Sequence, residues 1–122
     1  TELTYLNLSS NLLTGNIPSS IGSLTQLTRL DLRSNSLTGS IPSSIGSLAQ
    51  LTRLELDGNL LMGSIPSSIG SLTQLTYLDI SLNLLTGSMP YLLCSGGLVR
   101  PHIGCSKVQC NCCRSGVSNF FC

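Results

Sequence analysis

Charge is scarce in this sequence: Asp, Glu, Lys and Arg make up 9% of its 122 residues, and the formal net charge is +1. So sparse and balanced a set excludes a polybasic nucleic-acid binder, and it excludes an acidic disordered tail. No apolar run approaches the roughly eighteen residues of a membrane-spanning helix. The 41% apolar content, with aromatics at only 4%, is therefore made of short side chains spread along the chain. Thr1 is preceded by no initiator Met, basic segment or apolar leader, so any targeting segment has been removed or lies upstream. The chain has one His and one Lys, and it lacks a Gly-rich phosphate loop, a G-x-S-x-G elbow and an H-E-x-x-H helix. These absences leave little for an enzyme to work with. Cysteine is missing from the first 93 residues, and all six lie in the last 29.

What is present is a repeat. Written in steps of 24 from Leu3, Leu27, Leu51 and Leu75, four lines superimpose without gaps, and the second and third agree at 18 of 24 positions. Leu6/Leu8, Leu30/Leu32, Leu54/Leu56 and Leu78/Ile80 alternate with polar residues, the period of a half-buried strand. Each strand returns in the same direction, so successive strands form a parallel sheet with a spacing of about 4.8 Å. Leu13/37/61/85, Ile17/41/65 with Met89, and Ile21/45/69 with Leu93 form three further apolar ladders. Gly15, Gly39, Gly63 and Gly87 suit a bend where a side chain would obstruct the next turn, and Pro18, Pro42, Pro66 and Pro90 suit the first position of a short helical turn. The Ser/Gly-rich stretch after each proline is too short for an α-helix and reads as a 3₁₀ segment on the convex side. Asn11, Asn35, Asn59 and Asn83 fall where each strand ends, where a stacked amide can satisfy buried backbone groups.

The unit L-T-x-L-x-L-x-x-N-x-L-T-G-x-I-P resembles the leucine-rich repeat, and its L-T-G-x-I-P half is similar to the plant extracellular class. This resemblance, over residues 1–93, implies an α/β solenoid: a right-handed horseshoe segment with a parallel sheet on its concave face and 3₁₀ pieces on its convex face. It implies recognition of a protein, peptide or glycan, with no enzymatic activity and no cofactor.

Residues 94–122 break the repeat, and Cys94, Cys105, Cys110, Cys112, Cys113 and Cys122 read as a disulfide-stapled C-terminal cap that places the chain outside the cell or in an oxidising lumen. Six cysteines allow fifteen pairings, and the sequence does not choose among them. A zinc site is less well supported, because there is one C-x-x-C spacing and a lone His102 instead of two cysteine pairs. The run from Ile103 to Cys113 also resembles the C-x₄-C-x-C-C tail of secreted leucine-rich-repeat proteins of algae such as diatoms. Asn7-Leu8-Ser9 is an N-glycosylation sequon and agrees with a secretory route. No cap sequence precedes Leu3, which predicts further repeats or a partner at that edge.

The concave face is where the turns differ, and its columns supply the candidate site: Tyr5, Arg29, Arg53, Tyr77; Asn7, Asp31, Glu55, Asp79; and Arg33 with Asp57. Tyr and Arg are favoured at interface hot spots. The carboxylate column is expected to be a solvated stripe offset by Arg29 and Arg53 and by an Arg33–Asp57 diagonal. Catalysis by that column is disfavoured, because side chains of one ladder point the same way, whereas a glycosidase flanks the scissile bond. Two other readings use regularity: a structural subunit docked through its N-terminal edge, and an ice-templating array of Ser pairs and the Thr4/28/52/76 column. The parity of those Thr residues with the core leucines predicts their partial burial.

Overall fold

The structure, a computed structural model, describes residues 2–89, 102–104 and 120–121. The concave sheet contains β1 (Tyr5–Asn7), β3 (Arg29–Asp31), β5 (Arg53–Glu55) and β7 (Tyr77–Asp79), followed by β9 (His102–Gly104) and β10 (Phe120–Phe121). All neighbours are parallel, and Leu6, Leu30, Leu54, Leu78 and Ile103 stand in register. The first four strands follow the 24-residue period. The pairing of Tyr77 with His102 adds a residue to the interval, and with it the sheet runs on into the cysteine-rich stretch. The cysteines themselves, Pro90 and Leu93 lie outside the described residues.

A second ladder, which the sequence reading did not anticipate, runs along the outgoing edge of each turn. There β2 (Thr14–Asn16) pairs with β4 (Ser36–Thr38), and β6 (Met62–Ser64) pairs with β8 (Leu84–Thr86). Leu60 N–H to Leu37 O at 2.8 Å and Met62 N–H to Gly39 O at 2.9 Å carry the bonding across the gap between these pairs. Backbone groups that would otherwise be unsatisfied are thus paired between turns.

The convex side carries η1 (Ser19–Ser23), η2 (Ser43–Ser47) and η3 (Ser67–Ser71), all 3₁₀ as expected. Pro18, Pro42 and Pro66 stand one position earlier than expected, extended at ψ 143°, 141° and 136°, just before the first helical residue. Their carbonyls accept the N–H of Ile21, Ile45 and Ile69 at 3.1 Å. The bend glycines divide between two causes. Gly15, Gly63 and Gly87 have room for a Cβ but sit at φ +78°, +80° and +89°. Gly39, at φ +73°, is crowded as expected, since a Cβ there would come within 2.5 Å of Asn16 Oδ1 of the neighbouring turn. Crowding falls also on Gly22 and Gly46, where a Cβ would come within 2.7 Å of Ser44 O and 2.6 Å of Ser68 O.

Between sheet and 3₁₀ stack lies a core of aliphatic side chains only, among them Leu30, Leu54 and Leu78 of the sheet and Ile45 and Ile69 of the convex segments. Each such side chain contributes about 1.5–3 kcal/mol when fully buried. In the first turn Leu3, Leu8 and Leu13 remain partly exposed. Asn35 Nδ2 donates to Leu32 O (3.1 Å) within its own turn and to Leu8 O (2.9 Å) of the turn before. Its Oδ1 accepts the Leu13 N–H at 3.1 Å. Asn59 and Asn83 repeat the arrangement one and two turns on. The amide column is structural, as the sequence predicts.

The Thr column departs from expectation. Thr4, Thr28, Thr52 and Thr76 are exposed, not partly buried. The hydroxyls of Thr28, Thr52 and Thr76 nevertheless donate to the carbonyl of the preceding Thr at 2.9, 2.9 and 3.0 Å. Hydroxyls committed along the stack in this way make a poorer free polar array.

Candidate recognition surface on the concave sheet

Register brings the predicted columns together: Tyr5, Arg29, Arg53 and Tyr77 in one row, and Asn7, Asp31, Glu55 and Asp79 in the next. The Arg29 guanidinium lies over the Tyr5 ring at 5.1 Å, and that of Arg53 lies over Tyr77 at 4.0 Å, both within cation–π range. The row is therefore two aromatic–cation pairs laid end to end.

The carboxylate row is not the solvated stripe the sequence implied. Asp31 is 0% exposed and Glu55 1%, because the guanidiniums of their own face lie over them. Glu55 Oε2 accepts from Arg29 Nε (3.2 Å) and Nη2 (3.0 Å), while Oε1 accepts from Arg53 Nη2 (3.0 Å) and Arg33 Nη1 (3.4 Å). Asp31 has Arg33 Nε at 3.3 Å and Arg29 Nη2 at 3.8 Å. Arg33 thus spends its guanidinium on the two buried acids, and among the described residues it makes no ion pair with Asp57. Burial pushes the Glu55 carboxyl up, but the Arg53 hydrogen bond and the charges of Arg53 and Arg29 outweigh it and hold the group below the ordinary carboxylate value. The hydrogen bond to Glu55 in turn raises the Arg53 guanidinium.

Asp57, two residues after Glu55 in the same turn, behaves in the opposite way. Burial first, and the nearby Asp79 charge second, push its carboxyl up. Burial followed by the Asp79 charge also raises the Tyr77 phenol. Asp79 Oδ1 accepts both the N–H (3.0 Å) and the hydroxyl (2.6 Å) of Ser81.

The three arginines keep their outer edges in solvent, with side chains 35% (Arg29), 43% (Arg33) and 39% (Arg53) exposed. A guanidinium carries five N–H donors, and only one or two of each reach a carboxylate here. The buried acids therefore fix the guanidiniums from below and leave donors facing outward. The arrangement suits recognition of an anionic or acceptor-rich group, and it leaves Glu55 and Asp31 engaged by cations instead of free to act as acid and base. The sequence located these residues but missed the burial, since alternation assigns a face and says nothing of how neighbours on that face lie over one another. Among the described residues, no group of three or more His, Cys, Asp or Glu is placed to hold a metal ion.

This fold and surface define a leucine-rich-repeat protein. Residues 1–88 match the leucine-rich repeat region family, and the chain belongs to it. A chain in the crystal structure of the Arabidopsis receptor kinase HAESA, in complex with the peptide hormone IDA and the co-receptor SERK1, is 40% identical with a TM-score of 0.81. That match covers 88% of this chain and 18% of the other. The BIR3–SERK2 complex of Arabidopsis thaliana gives 39% identity and a TM-score of 0.73, covering 85% of this chain and 57% of that one. The ectodomain of the receptor kinase SOBIR1 from Arabidopsis thaliana gives 36% and 0.77, covering 84% and 56%. The likeness to plant extracellular leucine-rich-repeat proteins thus extends from motif to fold. This chain spans less than two thirds of each of these relatives. Comparison with curated proteins found no match.

Proposed function

We propose that this chain is a recognition module that binds a protein or peptide partner outside the cell or in an oxidising lumen, through the concave sheet. The observation that carries the reading is the row Tyr5–Arg29–Arg53–Tyr77, clamped from beneath by buried Glu55 and Asp31. Side chains held in place before the partner arrives lose less freedom on binding, which favours affinity. The structural relatives support a peptide or protein ligand, since one is in complex with a peptide hormone and a co-receptor. They support an extracellular site too, since SOBIR1 contributes an ectodomain. Among the described residues no helix is long and apolar enough to cross a membrane. The outward guanidinium donors favour a partner that presents a carboxylate or another anionic group to turns 2 and 3.

The test is capture of partners from extracellular fluid by the full chain and by two variants, Arg29→Gln/Arg33→Gln and Tyr77→Ala, with Gln50→Ala, in the exposed turn after η2, as control. Charge reversal of the arginines is unsuitable, because it would set a carboxylate against buried Glu55 and unfold the site. A genuine partner is lost from both concave variants and kept by the control. Retention by the concave variants, with melting temperatures unchanged, would refute the reading.

A second reading, docking into a larger assembly through the β1 edge, is favoured by the partly exposed Leu3, Tyr5, Leu8 and Leu13 beside the outermost strand. Under that reading the concave variants assemble normally.

A further inference from the structure

Asn7 differs from the ladder asparagines in what its amide has left to give. Asn35, Asn59 and Asn83 each donate through Nδ2 to three backbone carbonyls, so both of their amide hydrogens are committed. Asn7 is exposed, and its Nδ2 donates once, to the Tyr5 hydroxyl at 3.0 Å. The second amide hydrogen meets no acceptor among the described residues. Its Oδ1 accepts both the backbone N–H of Ser9 (2.9 Å) and the Ser9 hydroxyl (2.7 Å). Asp79 and Ser81 form the same turn, so the fold provides this geometry whichever residue fills the column. Turn 1 alone places an amide there, and alone completes the Asn-x-Ser triplet, where the next three turns have Asp31, Glu55 and Asp79. In turn 1, too, the position is uncovered, whereas Asp31 and Glu55 are roofed by arginines.

We propose that Asn7 carries an N-linked oligosaccharide, and that its stem forms the first-turn border of the recognition surface, confining the partner to Arg29, Arg33, Arg53, Asp57, Tyr77 and Asp79. The inference rests on the extracellular or luminal reading above. In the transfer, Asn7 Nδ2 attacks the anomeric carbon of an oligosaccharide held on a polyprenyl diphosphate, the donor of the secretory lumen. The C–N bond forms, the bond from that carbon to the diphosphate oxygen breaks, the lipid diphosphate leaves, and Nδ2 gives up one proton to a base of the transferase. One N–H remains, enough for the Tyr5 hydroxyl, and Oδ1 keeps both Ser9 donors. The folded turn accepts the sugar without losing a hydrogen bond. A stem at this point rises beside the Tyr5 ring and the Arg29 guanidinium stacked on it.

The full chain, fused to a cleavable signal peptide and produced by secretory eukaryotic cells, tests this by peptide mass mapping. One N-glycan is expected on the peptide containing Asn7, removed by an N-glycosidase, absent from Asn7→Gln and Ser9→Ala, and retained by Ser9→Thr. Nitration by tetranitromethane then reads the border: Tyr5 of the glycosylated chain reacts several-fold more slowly than Tyr5 of Asn7→Gln, with Tyr77 equal in both. A signal-cleaved, secreted chain unmodified at Asn7 overturns the proposal. Equal Tyr5 rates in the glycosylated and variant chains overturn the border. Because the leader is supplied, either result is separable from failure of the extracellular reading, which is measured by where the untagged native protein fractionates.

Discussion

At the scale of single residues, Asn59 shows how much one side chain can hold in a solenoid. Its Oδ1 takes the Leu37 N–H of the preceding turn, and its Nδ2 serves Leu32, Leu56 and Asp57 carbonyls. Each buried group left without a partner costs about 1–3 kcal/mol, so Asn59→Ala is expected to lose about 3 kcal/mol in urea unfolding. Asn11 has the same place in turn 1 but is exposed and reaches only its own turn, at Leu8 and Ser9. Asn11→Ala should cost well under about 1 kcal/mol. Both roles are legible from column position, and the difference between them follows from which turns have a neighbour on each side. Leu82 is a residue the column could not explain in advance. It occupies the left-handed region at φ 52°, where the other turns have Ser10, Ser34 and Gly58, and its side chain is 72% exposed. A branched apolar residue is strained there, whereas Asn adopts the conformation readily. Leu82→Asn should raise stability by about 0.5–1 kcal/mol, seen as a higher urea midpoint at unchanged slope.

Among the elements, the 3₁₀ segments decide how closely the turns approach. Their backbone hydrogen bonds stay within each segment, and the Ser68 hydroxyl of η3 donates to Ser43 O of η2 at 2.6 Å. Contact between segments therefore rests on small side chains, and Gly22 and Gly46 let one turn reach the next serine carbonyl. Gly46→Ala would press a methyl to within 2.6 Å of Ser68 O, which is backbone and cannot swing aside. A loss of about 2–3 kcal/mol is expected, in the range of overpacked cores. Gly15→Ala meets nothing but must hold φ +78°, and should lose about 1–2 kcal/mol. Thermal unfolding of the two variants therefore separates crowding from backbone strain. The sequence marked the bend column, where crowding holds at Gly39 but not at Gly15, Gly63 or Gly87, and it passed over the crowding at Gly22 and Gly46, because a repeat records that a residue recurs without recording why. The second ladder stayed hidden for a related reason. Thr14-Gly15-Asn16 and Met62-Gly63-Ser64 show no alternation, and what pairs there is backbone, which leaves no pattern in side-chain type. β9 was obscured by the extra residue before Ile103, which puts it out of step with the 24-residue count although it lies in register with Leu78.

Over the molecule as a whole, charge is confined to one face. Apart from Glu2, every charged side chain of the described residues belongs to the concave columns, and the convex and lateral surfaces of residues 2–89 are neutral. Acid stability should therefore be governed largely by a few groups on that face, and two of them oppose each other. For Glu55 the folded carboxyl lies below its ordinary value. Its contribution is full above the unfolded value and is lost as pH falls through the lowered one. For Asp57 the folded carboxyl lies above its ordinary value, through burial and the Asp79 charge. The fold binds that proton more tightly than the unfolded chain does, so Asp57 costs stability at neutral pH, and the cost disappears as pH falls through the carboxylate range. Glu55→Gln should lower stability at pH 7 by about 2 kcal/mol, since three guanidiniums lose their shared anion while Gln keeps the shape. Asp57→Asn should raise it by a smaller amount. As pH falls, Asp57→Asn should converge on the parent from above through the carboxylate range, and Glu55→Gln from below as pH passes the lowered folded value of Glu55. Urea midpoints of the three proteins at pH 7 and near pH 3 make the comparison. Shifts of the same sign at pH 7 would mean that the concave charges are too well solvated to feel one another, and with that the clamp beneath the recognition surface would lose its physical basis.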